Sequence, residues 1–158
     1  MIRYATPDDV SVINELIREL ADYEKALHEV EVTEEQLREV LFGEQSSVFA
    51  HVAESDGEVV GFALWFLTFS TWTGTRGLYL EDLYVRPGHR GGGHGKALLT
   101  ELGRISVERG YERLEWSVLD WNTPAIDFYE SLGARPQGDW IRYRLAGEPL
   151  RRFGGQVR

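Results

Sequence analysis

The sequence predicts a mixed α/β fold, in which a mostly antiparallel sheet is covered by helices on both faces. Two observations favour this class. Segments with helical spacing of apolar residues alternate with short runs rich in β-branched and aromatic residues, in the order β-α-α-β-β-β-α-β-α-β. No repeat or linker interrupts the 158 residues, a length typical of one domain with its own core. We therefore expect a single domain over residues 1–146 and a tail over residues 147–158.

The first half contains two helices and three strands. Residues 2–5 alternate and predict a short strand, and Thr6-Pro7-Asp8-Asp9 is typical of a helix start, with a helix to about residue 27. Thr33-Glu34-Glu35-Gln36 is a second capping box, and Gly43 can end the helix that it begins. Residues 48–54 and 59–68 are β-rich and flank Asp56-Gly57, which predicts a hairpin.

The second half contains a glycine-rich turn between a strand and a helix. A polar loop at 70–77, which carries Trp72, precedes a strand at 78–85, and the turn at 86–95 leads into a helix from Lys96 to about Gly110. The remaining segments are predicted as a strand at 114–119, a helix from Asn122-Thr123-Pro124 to Gly133, a strand at 140–145 and a loose basic tail at 151–158.

Composition excludes several classes of function. The formal net charge of −9 argues against a general nucleic-acid binder, which needs Lys and Arg against phosphate. Cysteine is absent, which excludes disulfides, thiolate metal sites and a cysteine nucleophile. The longest apolar stretch, residues 59–69, is too short to span a membrane, and the start lacks the regions of a signal peptide. The default expectation is a cytoplasmic protein without membrane or nucleic-acid partners.

The negative charge is concentrated in the first part of the chain. Residues 1–60 hold 4 Lys/Arg against 15 Asp/Glu, a net charge of −11, while residues 61–158 hold 13 against 11, a net charge of +2. The acidic part could attract a cationic partner, although acidic solvent faces of two helices explain the same pattern.

The turn Arg90-Gly91-Gly92-Gly93-His94-Gly95 carries the most specific chemistry. A glycine-rich junction between strand and helix lets N–H groups point at an anion. A P-loop does not fit, because Arg90 stands where its first glycine should be and Ala97 replaces Ser/Thr, and the dinucleotide pattern also fails. The segment instead resembles the Arg/Gln-x-x-Gly-x-Gly/Ala pattern of the GCN5-related N-acetyltransferases (GNAT), whose turn cradles the pyrophosphate of acetyl-CoA.

Residues 121–134 resemble a second motif of the same superfamily, Asn-x-x-Ala-x-x-x-Tyr-x-x-x-Gly, through Asn122, Ala125, Tyr129 and Gly133. Segments 19–24, 42–44, 60–63 and 78–83 look like the diamine (spermidine/spermine) acetyltransferases, and the related thialysine acetyltransferases share much of this similarity. The resemblance covers residues 1–146. It implies a GNAT fold with a sheet splayed between the fourth and fifth strands, a homodimer, and acetyl-CoA as cosubstrate.

The resemblance also assigns site residues. Glu81 would act as the base, through water, and Tyr129 as the acid. The amine site would comprise Glu24, Trp72, Glu81, Asp82 and Trp140. The acetyl-CoA site would comprise Leu83, Tyr84, Val85, Arg90, Gly91, Gly93, His94, Gly95, Lys96, Asn122 and Tyr129.

These residue types suit the transfer of an acetyl group to an amine. An aliphatic ammonium has a pKa near ~10.4, so a proton must leave before attack, and a phenol with a pKa near ~10 can protonate the departing thiolate. Without cysteine, an acetyl-cysteine intermediate is excluded, and direct transfer in a ternary complex is expected.

Alternatives remain at this level. Glu81 could instead form a structural ion pair, Lys96 could be a solvated helix residue, and both tryptophans could be packing residues. The four histidines lack metal-ligand spacing, and no metal site is expected. A non-catalytic module that binds CoA or polyamines, or an acetyltransferase for a protein amine, would fit the same motifs.

Overall fold

The computed structural model of the protein describes residues 1–155, in two compact units. The first unit is Met1–Leu119, and the second begins at Asp120. The predicted single domain over residues 1–146 stays a prediction, and each unit is described by itself below.

The first unit contains three helices and five strands. The helices are α1 (Val10–Tyr23), α2 (Glu34–Phe42) and α3 (His94–Glu108). The strands are β1 (Ile2–Tyr4), β2 (Val48–Ser55), β3 (Glu58–Ser70), β4 (Thr75–Val85) and β5 (Leu114–Trp116).

The strands form one mixed sheet in the order β1-β2-β3-β4-β5. The first three pairings are antiparallel, while β5 runs parallel to β4. A parallel pair needs a crossover, and α3 supplies it between these two strands. The predicted fold class is confirmed.

Both faces of the sheet are buried because β3 has an unbroken run of buried residues at 60–65, and successive side chains of a strand point to opposite faces. Phe62 and Leu64 of β3 belong to a core cluster with Val10, Ile13 and Leu16 of α1. Trp65 of β3, with none of its surface exposed, lies outside that cluster, and α3 packs against β3 and β4. The helices therefore cover opposite faces of the sheet.

Three local structures predicted from the sequence are present, namely two capping boxes and one hairpin turn. The Thr6 N–H donates to Asp9 Oδ2 at 2.7 Å, and the Thr33 hydroxyl accepts from the Gln36 N–H at 3.1 Å. Asp56 and Gly57 adopt φ values of 52° and 80°, which a type I′ hairpin turn requires.

Several predicted boundaries were wrong. α1 ends at Tyr23 rather than near residue 27, where a separate 3₁₀ turn forms over Leu27–Glu29. The predicted loop at 70–77 is a turn only over residues 71–74, because β3 runs to Ser70 and β4 begins at Thr75, and β5 ends at Trp116 rather than at 119. α3 begins at His94, two residues before the predicted start.

The second unit contains α4 (Thr123–Ser131) and α5 (Gly147–Gly154). The predicted strand at 140–145 is wrong, because the structure assigns no strand to these residues. The predicted loose tail is helical over 151–154, and residues 156–158 lie outside the described part of the chain. Among the described residues, no helix is long and apolar enough to cross a membrane.

Candidate active site

One extra residue, Glu81, interrupts the regular alternation of β4. Leu80 lies opposite Trp65, whereas Asp82 lies opposite the neighbouring residue Leu64, so two steps on β4 match one step on β3. Such a bulge reverses which side chains face which side of the sheet. As a result Leu80 faces the layer of α3, while Asp82 faces the layer of α1.

The end of β4 beyond this bulge is unpaired on one side. β5 pairs with β4 from Leu78 opposite Leu114 to Leu80 opposite Trp116, and within the described residues no farther. β4 itself continues to Val85. We call residues 81–85 the open edge.

The direction of the backbone groups on the open edge follows from the register. The Arg86 N–H donates to the Val60 carbonyl of the β3 side at 2.9 Å. Bonded pairs recur at every second residue of an antiparallel ladder, so Tyr84 also bonds towards β3. The N–H and C=O groups of Leu83 and Val85 therefore point away from β3, into the gap beside β5.

Three carboxyl groups lie together at the inner end of the open edge. We call Glu24, Glu81 and Asp82 the acid cluster. Burial and the negative charges of Glu81 and Glu24 raise the pKa of Asp82 to about 7. Burial likewise raises the pKa of Glu24, which is half-buried at the end of α1, while Glu81 is exposed. A cation bound beside Asp82 would relieve the repulsion that Glu81 and Glu24 exert on it.

The glycine-rich turn forms the outer end of the open edge. Pro87–His89 is a 3₁₀ turn, and Gly91 and Gly93 follow with φ values of 85° and 84°, a conformation that disfavours side chains. The Ala97 N–H donates to the Gly93 carbonyl at 2.9 Å and closes the first turn of α3. The preceding N–H groups at this helix N-terminus face outward, as an anion site requires.

A network of ion pairs holds α1 against the open edge. Arg86 lies 3.0 Å from Glu15 and 3.1 Å from Glu19, and the Tyr84 hydroxyl donates to Glu19 at 3.3 Å. Arg90 donates from Nε to the Val85 carbonyl at 2.8 Å. The bonds that Tyr84 and Arg86 make to α1 join residues 65 to 71 positions apart, so no local pattern in the sequence predicts them.

The structure brings some predicted site residues together and leaves one apart. The acid cluster, Leu83, Val85 and the glycine-rich turn share one end of β4. Trp72 lies in the turn before Thr75, at the opposite end of this strand, and is 76% exposed. The seven steps from Thr75 to Asp82 span about 20 Å, so Trp72 does not line the acid cluster of its own chain. Its role in the amine site stays a prediction.

The other predicted residues belong to the second unit. Asn122 stands at the N-cap of α4, and the partly buried Tyr129 lies on the same helix with its ring centre 5.6 Å from that of Phe128. Trp140 is 68% exposed, and its N–H donates to the Gln137 carbonyl at 3.3 Å. The roles of these three residues stay predictions.

The model of the acetyltransferase (GNAT) family matches residues 13–134. The chain belongs to the GNAT acetyltransferase family. The match includes the open edge, the glycine-rich turn and α4, so this chain is an N-acetyltransferase that acts on amines.

Individual relatives of this acetyltransferase extend the similarity over nearly the whole chain. It is 39% identical over 167 residues to thialysine N-epsilon-acetyltransferase of Sus scrofa, covering 99% of this chain and 98% of that protein. It is 32% identical to an L-ornithine N5-acetyltransferase of Arabidopsis thaliana, covering 94% and 85%. A solved integron cassette protein from V. cholerae matches with a TM-score of 0.79 and 27% identity, covering 98% and 96%.

Among residues 1–155, no group of three or more His, Asp or Glu side chains, the acid cluster included, has an arrangement that could hold a metal ion.

Proposed function

We propose that this protein transfers the acetyl group of acetyl-CoA to the terminal primary amine of a small cationic substrate, either a thialysine-like amino acid or a diamine or polyamine. The observation that carries the proposal is the acid cluster beside the open edge. Two adjacent acidic side chains on β4 and a third at the end of α1 can balance the positive charge of a substrate. Burial and the charges of Glu81 and Glu24 already raise the pKa of Asp82. An incoming ammonium would relieve that repulsion.

The residues of the open edge and the glycine-rich turn fit acetyl-CoA. A pantetheine arm has amide groups that can pair with the outward groups of Leu83 and Val85 as an added strand does. The pyrophosphate suits the N–H groups around Gly91, Gly93 and the start of α3. We extend the proposed cofactor site to Tyr84, His94, Gly95, Lys96, Asn122 and Tyr129. Acetyl-CoA supplies the activated thioester.

The proposed chemistry uses three groups of the chain. Glu81, exposed on the bulge, takes the proton of the ammonium through water, which leaves a neutral amine to attack the thioester carbon. The Leu83 N–H, directed into the gap, stabilises the oxygen of the tetrahedral intermediate. Tyr129 donates its phenolic proton to the leaving thiolate, and the proton that the attacking nitrogen loses as the amide forms returns to the tyrosinate. Because the chain has no cysteine, the amine attacks acetyl-CoA directly.

The names of two relatives suggest which amines to test. Both a thialysine N-epsilon-acetyltransferase and an L-ornithine N5-acetyltransferase modify an amine at the end of an amino-acid side chain. Spermidine and putrescine carry the same terminal group without a carboxylate. The acid cluster would repel a substrate carboxylate nearby, so we propose that the cluster receives the amine end.

The decisive experiment is an initial-rate panel with acetyl-CoA, read by thiol release, on thialysine, ornithine, spermidine, putrescine and a lysine-containing peptide. We expect turnover of a small amine and intersecting double-reciprocal lines, as a ternary complex requires. CoA binding without turnover of any amine would support a non-catalytic module. Preference for the peptide would support a protein acceptor.

Two substitutions test the assigned chemistry. Glu81→Gln and Tyr129→Phe should each lower kcat by ~10²–10⁴, because each removes one proton transfer. Glu58→Gln, an exposed change at the start of β3, is the matched control. If the best amine turned over normally in both variants, these assignments would be wrong.

We also propose a homodimer. Segment 140–145 exposes large apolar side chains, with Ile141 at 76% and Tyr143 at 89%, a pattern that favours a covering partner. Light scattering of the purified protein should give twice the chain mass, and Ile141→Ser with Tyr143→Ser should lower it towards the monomer. A wild-type monomer at micromolar concentration would refute this.

A further inference from the structure

The side chain of Arg90 turns away from the glycine-rich turn that bears it. Its Nε donates to the Val85 carbonyl at 2.8 Å, and its Cζ lies 5.4 Å from the ring centres of both Tyr23 and Tyr84. A guanidinium so placed is held by a hydrogen bond and by two aromatic faces. Arg90 thus contacts three elements at once: the turn, β4 and the end of α1.

These contacts join the two ends of the site. Tyr23 is the last residue of α1, and Glu24 of the acid cluster follows it directly. Tyr84 lies on the same face of β4 as Asp82, and its hydroxyl donates to Glu19 of α1. A movement of Arg90 would therefore shift Tyr23, which precedes Glu24, and Tyr84, which lies on the same face of β4 as Asp82.

We propose that Arg90 is a positioning residue rather than a phosphate ligand: it fastens the glycine-rich turn to β4 and α1, so that the turn sets the geometry of the acid cluster. The inference rests on the proposed function for its meaning in catalysis. It also assigns a role to the Val85 carbonyl, which Arg90 engages at the outer limit of the open edge. An added pantetheine strand would then pair through Leu83 and the Val85 N–H, and end there.

A conservative variant separates the two roles. Lysine carries the same charge and binds phosphate as a point charge, but it cannot reproduce a planar guanidinium that donates from Nε and stacks between rings. If Arg90 served phosphate, Arg90→Lys would keep acetyl-CoA affinity and Arg90→Gln would lose it. For a positioning residue, both variants should raise the KM for the amine about threefold to tenfold at saturating acetyl-CoA.

A double substitution tests whether Tyr23 belongs to the same contact. Tyr23→Leu should also raise the amine KM, by no more than Arg90→Gln does. Tyr23→Leu combined with Arg90→Gln should be no worse than Arg90→Gln alone, because that variant has already lost the contact with Tyr23. Arg38→Gln, the same change at an exposed position on α2, is the matched control. Multiplicative effects of the two substitutions would overturn the proposal.

Hydrogen exchange provides a readout that does not need activity. The amides of Glu24, Lys25 and Ala26 donate to carbonyls near the end of α1 at 2.8 to 3.0 Å. We expect Arg90→Lys to accelerate exchange in a peptide covering residues 20–26, and Arg38→Gln to leave it unchanged. Unchanged exchange in Arg90→Lys would refute the positioning role. A wild-type protein inactive on every amine, with accelerated exchange in Arg90→Lys, would refute only the proposed function.

Discussion

Asp82→Asn should stabilise the protein at neutral pH, although it alters a residue of the proposed amine site. Burial of the carboxyl, together with the negative charges of Glu81 and Glu24, raises its pKa from 3.8 to about 7. The folded chain holds a proton that the unfolded chain has already released at that pH. An amide has nearly the same shape and cannot ionise, so it removes the electrostatic penalty while preserving the packing.

The pH window of this effect follows from the two pKa values. Below pH 3.8 the carboxyl is neutral in both states, and its pKa shift contributes nothing. Between pH 3.8 and about 7 the folded state binds more protons than the unfolded state, so stability falls as the pH rises. Above pH 7 the penalty is complete. A pKa difference of this size corresponds to at most about 4 kcal/mol.

Thermal unfolding of wild type and Asp82→Asn from pH 4 to pH 8.5 measures the penalty. We expect the two proteins to have the same Tm near pH 4, and the variant to gain at least about 1 kcal/mol at pH 8, which is ~2–4 °C in Tm. Glu58→Gln, at an exposed position, should show no such trend. A difference between wild type and Asp82→Asn that did not grow with pH would refute the reasoning, as would a variant less stable than wild type at pH 8.

Three further substitutions test the structure elsewhere. Burial lowers the pKa of His51 to about 4, so stability should fall as the pH drops from 6.5 towards 4, and urea denaturation should show a weaker fall in His51→Gln, by about 2 kcal/mol at pH 5. Gly93→Ala should cost ~1–2 kcal/mol in urea denaturation because its φ is 84°, whereas Gly92→Ala, without a positive φ, should be nearly neutral; equal costs would contradict this. A Cβ on Gly61 would lie 2.8 Å from the Tyr84 carbonyl, so Gly61→Ala should displace the open edge and weaken acetyl-CoA binding measured by calorimetry; unchanged affinity and Tm would contradict this.

Local features were predictable because their causes are local. The capping boxes at Thr6 and Thr33 and the Asp56-Gly57 turn depend on residues within three or four positions of one another. The glycine-rich turn before α3 is of the same kind. The motif resemblance identified the family for a related reason, since short patterns around a cofactor preserve their spacing.

The strand predicted at 140–145 shows where this reasoning fails. Its alternation resembles that of a strand, but a strand also needs a partner with which to exchange backbone hydrogen bonds. The availability of a partner depends on the whole fold, which a local pattern does not contain. The late start predicted for β4 has a similar cause, because Thr75, Arg76 and Gly77 are strand only through pairing with β3.

By itself, the sequence determined the fold class, the order of most elements, the glycine-rich turn before α3 and the acidic character of the first half. The tertiary structure alone decided that Glu81 is a bulge, that Asp82 consequently faces Glu24 with a raised pKa, and that Arg90 points to Val85 and Tyr23. The physical reason is the separation in sequence between the residues that determine each feature. Caps and turns are settled by neighbours in the chain, whereas the register of a sheet and the field at a carboxylate depend on residues that only folding brings within a few ångströms.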